Sequence, residues 1–248
     1  VNTPDQKLGF ILHRAVALSF LVVAATGCAA TAVRTPTPAA KLSHDEMNDA
    51  PPNERFYITV FGSQTTPRIP RLTHSWATAF RVIDQGDGQP PVVETHTISW
   101  YPASLEIRPW TFRTEPGVNL DFQATMRAIC ANGEHVTQWG PYECRPNLYY
   151  RFLVQKEFLE SGRVGYQCID TVGEAARTGN GCDCIHAMTD MDPEFSRNRY
   201  PLIRYGNSAS RFVVRELRQR DVLINPRRSH AWLNAYLGWD GCDAGGQP

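Results

Sequence analysis

The stretch THSWATAFRVIDQGDGQPPVVETHTISW, residues 73–100, decides the fold. From His74 the chain sets His74, Trp76, Thr78, Phe80 and Val82 against Ser75, Ala77, Ala79 and Arg81, the period-2 pattern of a half-buried strand. DQGDGQPP is a dense turn cluster, and VVETHTISW, Val92 to Trp100, is rich in β-branched and aromatic residues and reads as the partner strand. An antiparallel hairpin is therefore expected at the centre of the protein.

Outward from the hairpin, FYITVF (Phe56–Phe61) reads as a strand stopped by Gly62, and Ser104–Ile107 as a short extended piece interrupted by Pro109. Helical spacing begins after Asn119, a potential cap for Leu120 to about Ala131, with Phe122, Met126, Ile129 and Cys130 on one face. A second helix is expected from about Asn147 to Ser161, a short strand at Val164–Ile169, and a loop at TVGEAARTGNG. A further helix, Ser208 to Arg220, turns Ala209, Phe212, Val213 and Leu217 inward and Arg211, Arg215 and Arg218 outward; AWLNAYL, with Ser229 as possible cap, closes the pattern. Strands first, then helices interleaved with short strands, make the class α+β. No repeat, heptad run or glycine-rich phosphate loop is visible.

The N-terminal region has a different character. A basic patch (Lys7, His13, Arg14) leads into the apolar run Ala15–Ala25 and then Ala25-Thr26-Gly27-Cys28, the three-part layout of a secretory signal over residues 1–27. The run is short of the roughly 20 residues that cross a bilayer. Small residues before a cysteine resemble the lipobox of bacterial lipoproteins, which implies lipidation of Cys28 and anchoring to a membrane of the cell envelope. Ordinary cleavage with Cys28 as a spectator is the alternative. Residues 28–53, rich in Ala, Thr and Pro, read as a flexible tether, and residues 54–248 as a single domain.

Removing Asp5, Lys7 and Arg14 takes 25 basic and 25 acidic residues to 23 and 24, so no electrostatic footprint for nucleic acid exists. After Cys28 come six cysteines: Cys130, Cys144, Cys168, Cys182, Cys184 and Cys242. In an oxidising compartment an even count permits up to three disulfides. Cys242, near the C-terminus, would be the odd one out if one of the others stays free.

A cysteine at a helix start is chemically special, because unpaired backbone N–H groups favour the nucleophilic thiolate. Cys184 has that position if a helix begins near Asp183, and it needs a histidine as general base and a third polar group to orient it. His74 and His96 are the candidates.

The pieces THSWATAF (73–80), THTISW (95–100), YYRFLVQKEFLESG followed by GYQCID, and GCDCIHA (181–187) together resemble the circularly permuted NlpC/P60 hydrolases, a papain-like group that includes the lecithin:retinol acyltransferase relatives. The resemblance spans roughly Thr73 to Ala187. It implies a small antiparallel sheet packed against helices, with Cys184 as nucleophile, His74 as base and His96 as its orienting partner. It further implies an envelope cysteine hydrolase or acyltransferase acting on amide or ester bonds of peptidoglycan peptides or lipids, without a cofactor. One departure concerns register. A turn centred near Asp87 sets His96 opposite Thr78, about 13 Å along the hairpin from His74; a tighter turn at Asp84-Gln85-Gly86, or a bulge near Pro90-Pro91, would bring the histidines together.

Other readings stand beside this one. Cys184 could be bonded to Cys168 or Cys144 or be an inert buried thiol, Cys182 could be a disulfide partner or alternative nucleophile, and His74 could be a strand-end histidine beside Trp76. His186 is expected to point away from Cys184. No metal is expected: Cys182, Cys184 and His186 lack the second ligand pair of a zinc site, and TDMDPEF lacks the glycine and later acids of a calcium loop. Trp100, Tyr101, Trp110, Trp139 and Tyr142 could line a groove or fill the core. The rival overall reading is a non-enzymatic, disulfide-stabilised envelope lipoprotein that binds a partner or wall component.

Overall fold

The computed structural model describes residues 37–42, 49–192 and 204–239, which belong to one compact unit. The expected signal segment, Cys28 and Cys242 lie outside the described residues. Four strands form an antiparallel sheet: β1 (Glu54–Gln64), β2 (Thr73–Ile83), β3 (Val92–Ile98) and, on the far side of β1, β6 (His135–Cys144), in the order β3-β2-β1-β6. The β2–β3 turn carries Gly86, Asp87 and Gly88, all at positive φ, and the Gln89 N–H closes it by donating to the Gly86 carbonyl. A second, smaller sheet joins β4 (Trp100–Pro102), β5 (Glu115–Asn119), β7 (Gly165–Tyr166) and β8 (Gly181–Cys182), with only β7–β8 parallel. The class is mixed α+β, with helices packed against these sheets.

Both faces of the large sheet are covered. On one, Phe56, Ile58, Val60, Ala77, Ala79 and Ile98 pack with helices α2 (Pro146–Glu160), α4 (Cys184–Thr189) and α5 (Asn207–Gln219). On the other, Tyr57, Phe61, Trp76 and Phe80 pack with α1 (Phe122–Ala131) and the 3-10 turn Ala231–Leu237. Strand residues alternate between two dry faces, so β1 and β2 are buried almost throughout rather than on one side only. α5 lies close on β1 because Gly62 has no side chain: a Cβ there would sit 2.6 Å from Ser210 Oγ. Ser210 Oγ then donates to the Phe61 carbonyl and lies 2.7 Å from Ser75 Oγ.

Several expectations are corrected. Asn119 does not cap α1; Asp121 does, accepting from the Ala124 N–H, and Asn119 instead ends β5. Ser104–Ile107 forms a turn rather than a strand, and the extended pairing occurs later, at Glu115–Asn119. The loop TVGEAARTGNG contains a short helix, α3 (Gly173–Thr178), and β6 carries no clear sequence alternation because Gly140-Pro141 interrupts it opposite a register shift in β1. Thr37–Leu42, assigned to the tether, is docked on the body. Arg151 of α2, only 3% exposed, donates to the Ala39 and Leu42 carbonyls, and Thr37 Oγ1 donates to the Asp190 carbonyl. No described helix is long and apolar enough to cross a membrane.

Candidate active site

β3 accompanies β2 only as far as the pair Ala77↔Ile98. Beyond it the chain leaves at Ser99 for the second sheet, and the 73–76 end of β2 meets α4 instead. A cavity of about 720 Å³ opens there, with His74, Ser75, Cys168, Asp183, Cys184 and His186 in its wall.

His74 is buried, held between Trp76, whose ring stacks at 5.6 Å, and Tyr101, whose ring centre lies 3.9 Å away. Its Nε2 is 3.0 Å from Ser99 Oγ, while Nδ1 has no hydrogen-bond partner. Ser99 is itself fixed. Its N–H donates to Asn119 Oδ1, its carbonyl accepts from the Leu120 N–H, and Asn119 Nδ2 donates to the Thr97 carbonyl. Asn119 therefore serves this turn, which in turn aims the Ser99 hydroxyl at the imidazole. Burial drives the His74 pKa down to about 3, so the ring is neutral at physiological pH and its protonation is opposed by the apolar surroundings.

His96 is not part of this arrangement. It pairs with Ala79, five positions along β2 from His74, about 17 Å at strand rise. An odd offset also puts the two on opposite faces of the sheet, and the His96 ring contacts Tyr149 of α2, edge-on at 6.0 Å. The turn at Gly86–Gly88 fixes this register, and neither a tighter turn nor a bulge intervenes. Ser99, rather than His96, is the polar side chain against the His74 ring; a serine between two strands carries no sequence signal for it.

Cys184 is the first residue of α4, as expected, and Asp183 caps the helix by accepting from the Ile185 and His186 N–H groups. Cys144, Cys168 and Cys184 form no disulfide, so Cys184 is bonded to neither Cys168 nor Cys144; Cys130 is disulfide-bonded. Thiolate activation, however, is not what the position delivers. Burial above all, then the Asp183 charge, pushes the Cys184 thiol well above its ordinary range, against backbone hydrogen bonds from Ser75 and Cys184 that favour the thiolate. A two-turn helix with a carboxylate for its cap has little dipole to offer against desolvation. Cys168 is likewise pushed up to about 12 by burial. Iodoacetamide labelling of Cys184 should accordingly be slow at about pH 6 and climb steadily toward pH 9; a plateau already reached near pH 6 would contradict this electrostatic picture.

Beneath Cys184 lies a buried charge cluster that the sequence did not announce. His186 Nδ1 sits 2.8 Å from Asp170 Oδ1 and 3.1 Å from Asp183 Oδ2. Asp170 Oδ2 also accepts from the Asp183 N–H. Burial lowers the His186 pKa, but the Asp170 and Asp183 charges and hydrogen bonds outweigh it and raise it to about 10, so the ring is an imidazolium near neutrality. The cluster thereby holds the cap residue that precedes Cys184 in two ways. Among the described residues these three are the group whose ligand atoms, all within 4.8 Å of one another, could hold a metal ion. Cys182 and Cys184 do not join it, and the Nδ1 that faces both carboxylates carries the proton that pairs with them.

No family model, curated protein or solved structure matches this chain. The functional reading rests on the cavity itself. Of the five aromatics considered from the sequence, Trp110 lines the cavity; Trp100, Tyr101 and Tyr142 are buried in the core and Trp139 is partly buried beside it.

Proposed function

We propose that the protein is a cysteine hydrolase or acyltransferase acting on amide or ester bonds, with Cys184 as nucleophile, His74 as general base and Ser99 as the residue that orients the base. The observation that carries this reading is His74: a buried, neutral imidazole with Nε2 held by Ser99, its other nitrogen unpartnered, in the wall of the cavity that also contains Cys184. That division of labour between the two ring nitrogens is what a nucleophile, base and orienter require. It also fits the resemblance to papain-like permuted hydrolases, with Ser99 in place of His96.

Because the thiol is not ionised at rest, the base acts during attack. Cys184 Sγ bonds to the acyl carbon as its proton passes to His74, and the negative charge collects on the carbonyl oxygen. The imidazolium protonates the departing alcohol or amine, leaving a thioester on Cys184; water, deprotonated by His74, releases the acid and restores the thiol. The His74 ring shares the Trp76 face of β2 while α4 packs on the other, so the thiol–imidazole contact has to form around the open end of β2 with substrate bound.

The test is to incubate the protein with p-nitrophenyl acetate and look for acetylated Cys184 by peptide mass spectrometry. Acetylation of Cys184 that disappears in His74→Ala is expected; acetyl groups scattered over lysines alone would refute the reading. Ser99→Ala should slow the reaction about 10- to 100-fold through misorientation of the imidazole, whereas His96→Ala should leave it unchanged. A second reading is favoured by the raised Cys184 thiol: a non-enzymatic module that binds its ligand in the same cavity. Placement at the cell envelope rests on Ala25-Thr26-Gly27-Cys28 and is part of the proposal; a loss of membrane association in Cys28→Ala tests it.

A further inference from the structure

Resting on the catalytic reading above, we infer that the substrate is an ester of an apolar acyl chain, which lies in the cavity beside Cys184. Next to the catalytic residues the lining is formed by Ile107, Pro109, Trp110, Phe112, Ile169 and Val172. Of its charged groups, Asp183 and His186 are paired with each other, and Arg68 and Arg204 lie over the rings of Tyr205 and Phe212. A charged group set against the Ile, Pro, Phe and Val side chains would lose water without gaining a partner there, a costly exchange. An alkyl chain loses nothing there, and about 720 Å³ falls in the range of pockets that enclose whole small ligands.

The lip of the cavity supports the same occupant. Trp110 is 79% exposed and Phe112 53%. Their exposure does not come from a loose loop. The Phe112 carbonyl accepts from the Glu174 N–H, and Glu174 Oε2 accepts from the Thr114 N–H. Gly173, at φ +66°, lies so close that a Cβ would come within 2.5 Å of the Phe112 carbonyl oxygen. Phe112, held in this way, and Trp110 two residues before it set large apolar side chains at the mouth of the cavity, a surface suited to a hydrocarbon chain. In the reaction, Cys184 Sγ takes the acyl group as the C–O ester bond breaks, the alcohol leaves with the proton held by His74, and water then releases the fatty acid.

The experiment is a chain-length series with the full chain: p-nitrophenyl acetate, butyrate, hexanoate and octanoate, each run with wild type and Cys184→Ala, together with calorimetric binding of acetate and octanoate to Cys184→Ala. Cys184-dependent kcat/KM should rise about fourfold per added methylene until the cavity is filled, and Trp110→Ala should lower the octanoate-to-acetate ratio. Cys184-dependent turnover that is flat or falls with chain length overturns the acyl-chain inference while leaving the cysteine hydrolase in place. No turnover of any ester, with octanoate still binding far more tightly than acetate, overturns the hydrolase and upholds the ligand class. Neither turnover nor selective octanoate binding overturns both.

Discussion

Replacing Cys184 by alanine is expected to reduce ester hydrolysis to the uncatalysed rate, a loss on the order of 10⁴-fold or more, while thermal unfolding and far-UV circular dichroism stay those of the wild type. Cys184 is half-buried against the core and bonded to no other cysteine, so its change to alanine removes a single sulfur atom and breaks no cross-link. His74→Ala should lose activity to a similar degree, and the double variant should be little worse than either single one, because a nucleophile and its base act as one unit. Additive losses in the double variant would show that the two do not work together. Substantial residual activity in Cys184→Ala would move the chemistry to another residue.

The second large effect concerns stability. His186 and Asp170 are almost fully removed from solvent, and their contact is short. Removing either partner strips the other's buried charge of its shortest contact, leaving it with Asp183, which costs up to about 3–5 kcal/mol; for a domain of this size that is on the order of 10 °C in Tm. Asp170→Ala and His186→Ala should each show such a drop, and the double variant less than the sum. Loss of the clamp also frees Asp183, the cap before Cys184, so these variants should lose hydrolysis even at temperatures where they remain folded.

Two buried histidines with opposite shifts give stability a maximum near neutrality. His186 keeps its proton up to about pH 10 in the folded chain, against about 6.5 when unfolded. The folded state therefore binds the extra proton across that window, and stability falls as pH rises through it. His74 is protonated only near pH 3 when folded, so below about pH 6.5 the unfolded state binds the extra proton and stability falls with acidification. Urea midpoints measured across pH should follow this dome, with His186→Ala flattening the alkaline limb and His74→Ala the acid one. An alkaline limb unchanged in His186→Ala would mean that His186 is neutral in the folded protein.

Local pattern determined a good deal here. Alternation and turn chemistry in residues 73–100 specify the β2–β3 hairpin, helical spacing specifies α2 and α5, and the Asp183-Cys184 step specifies a helix start, because each depends on interactions within a few residues. His74 and Cys184 were accessible for the same reason. The tertiary structure alone decided which groups meet. A one-residue change of register reverses the face of every side chain in a strand, so whether His96 or Ser99 served His74 depended on where β3 parts from β2 and on Asn119 fixing that parting. The pairing of His186 with Asp170 joins residues on separate segments, and the sign of the Cys184 pKa shift follows from burial that no spacing records. Sequence supplied the reactive groups and their local frames; packing set their partners, their protonation and the apolar cavity into which they open.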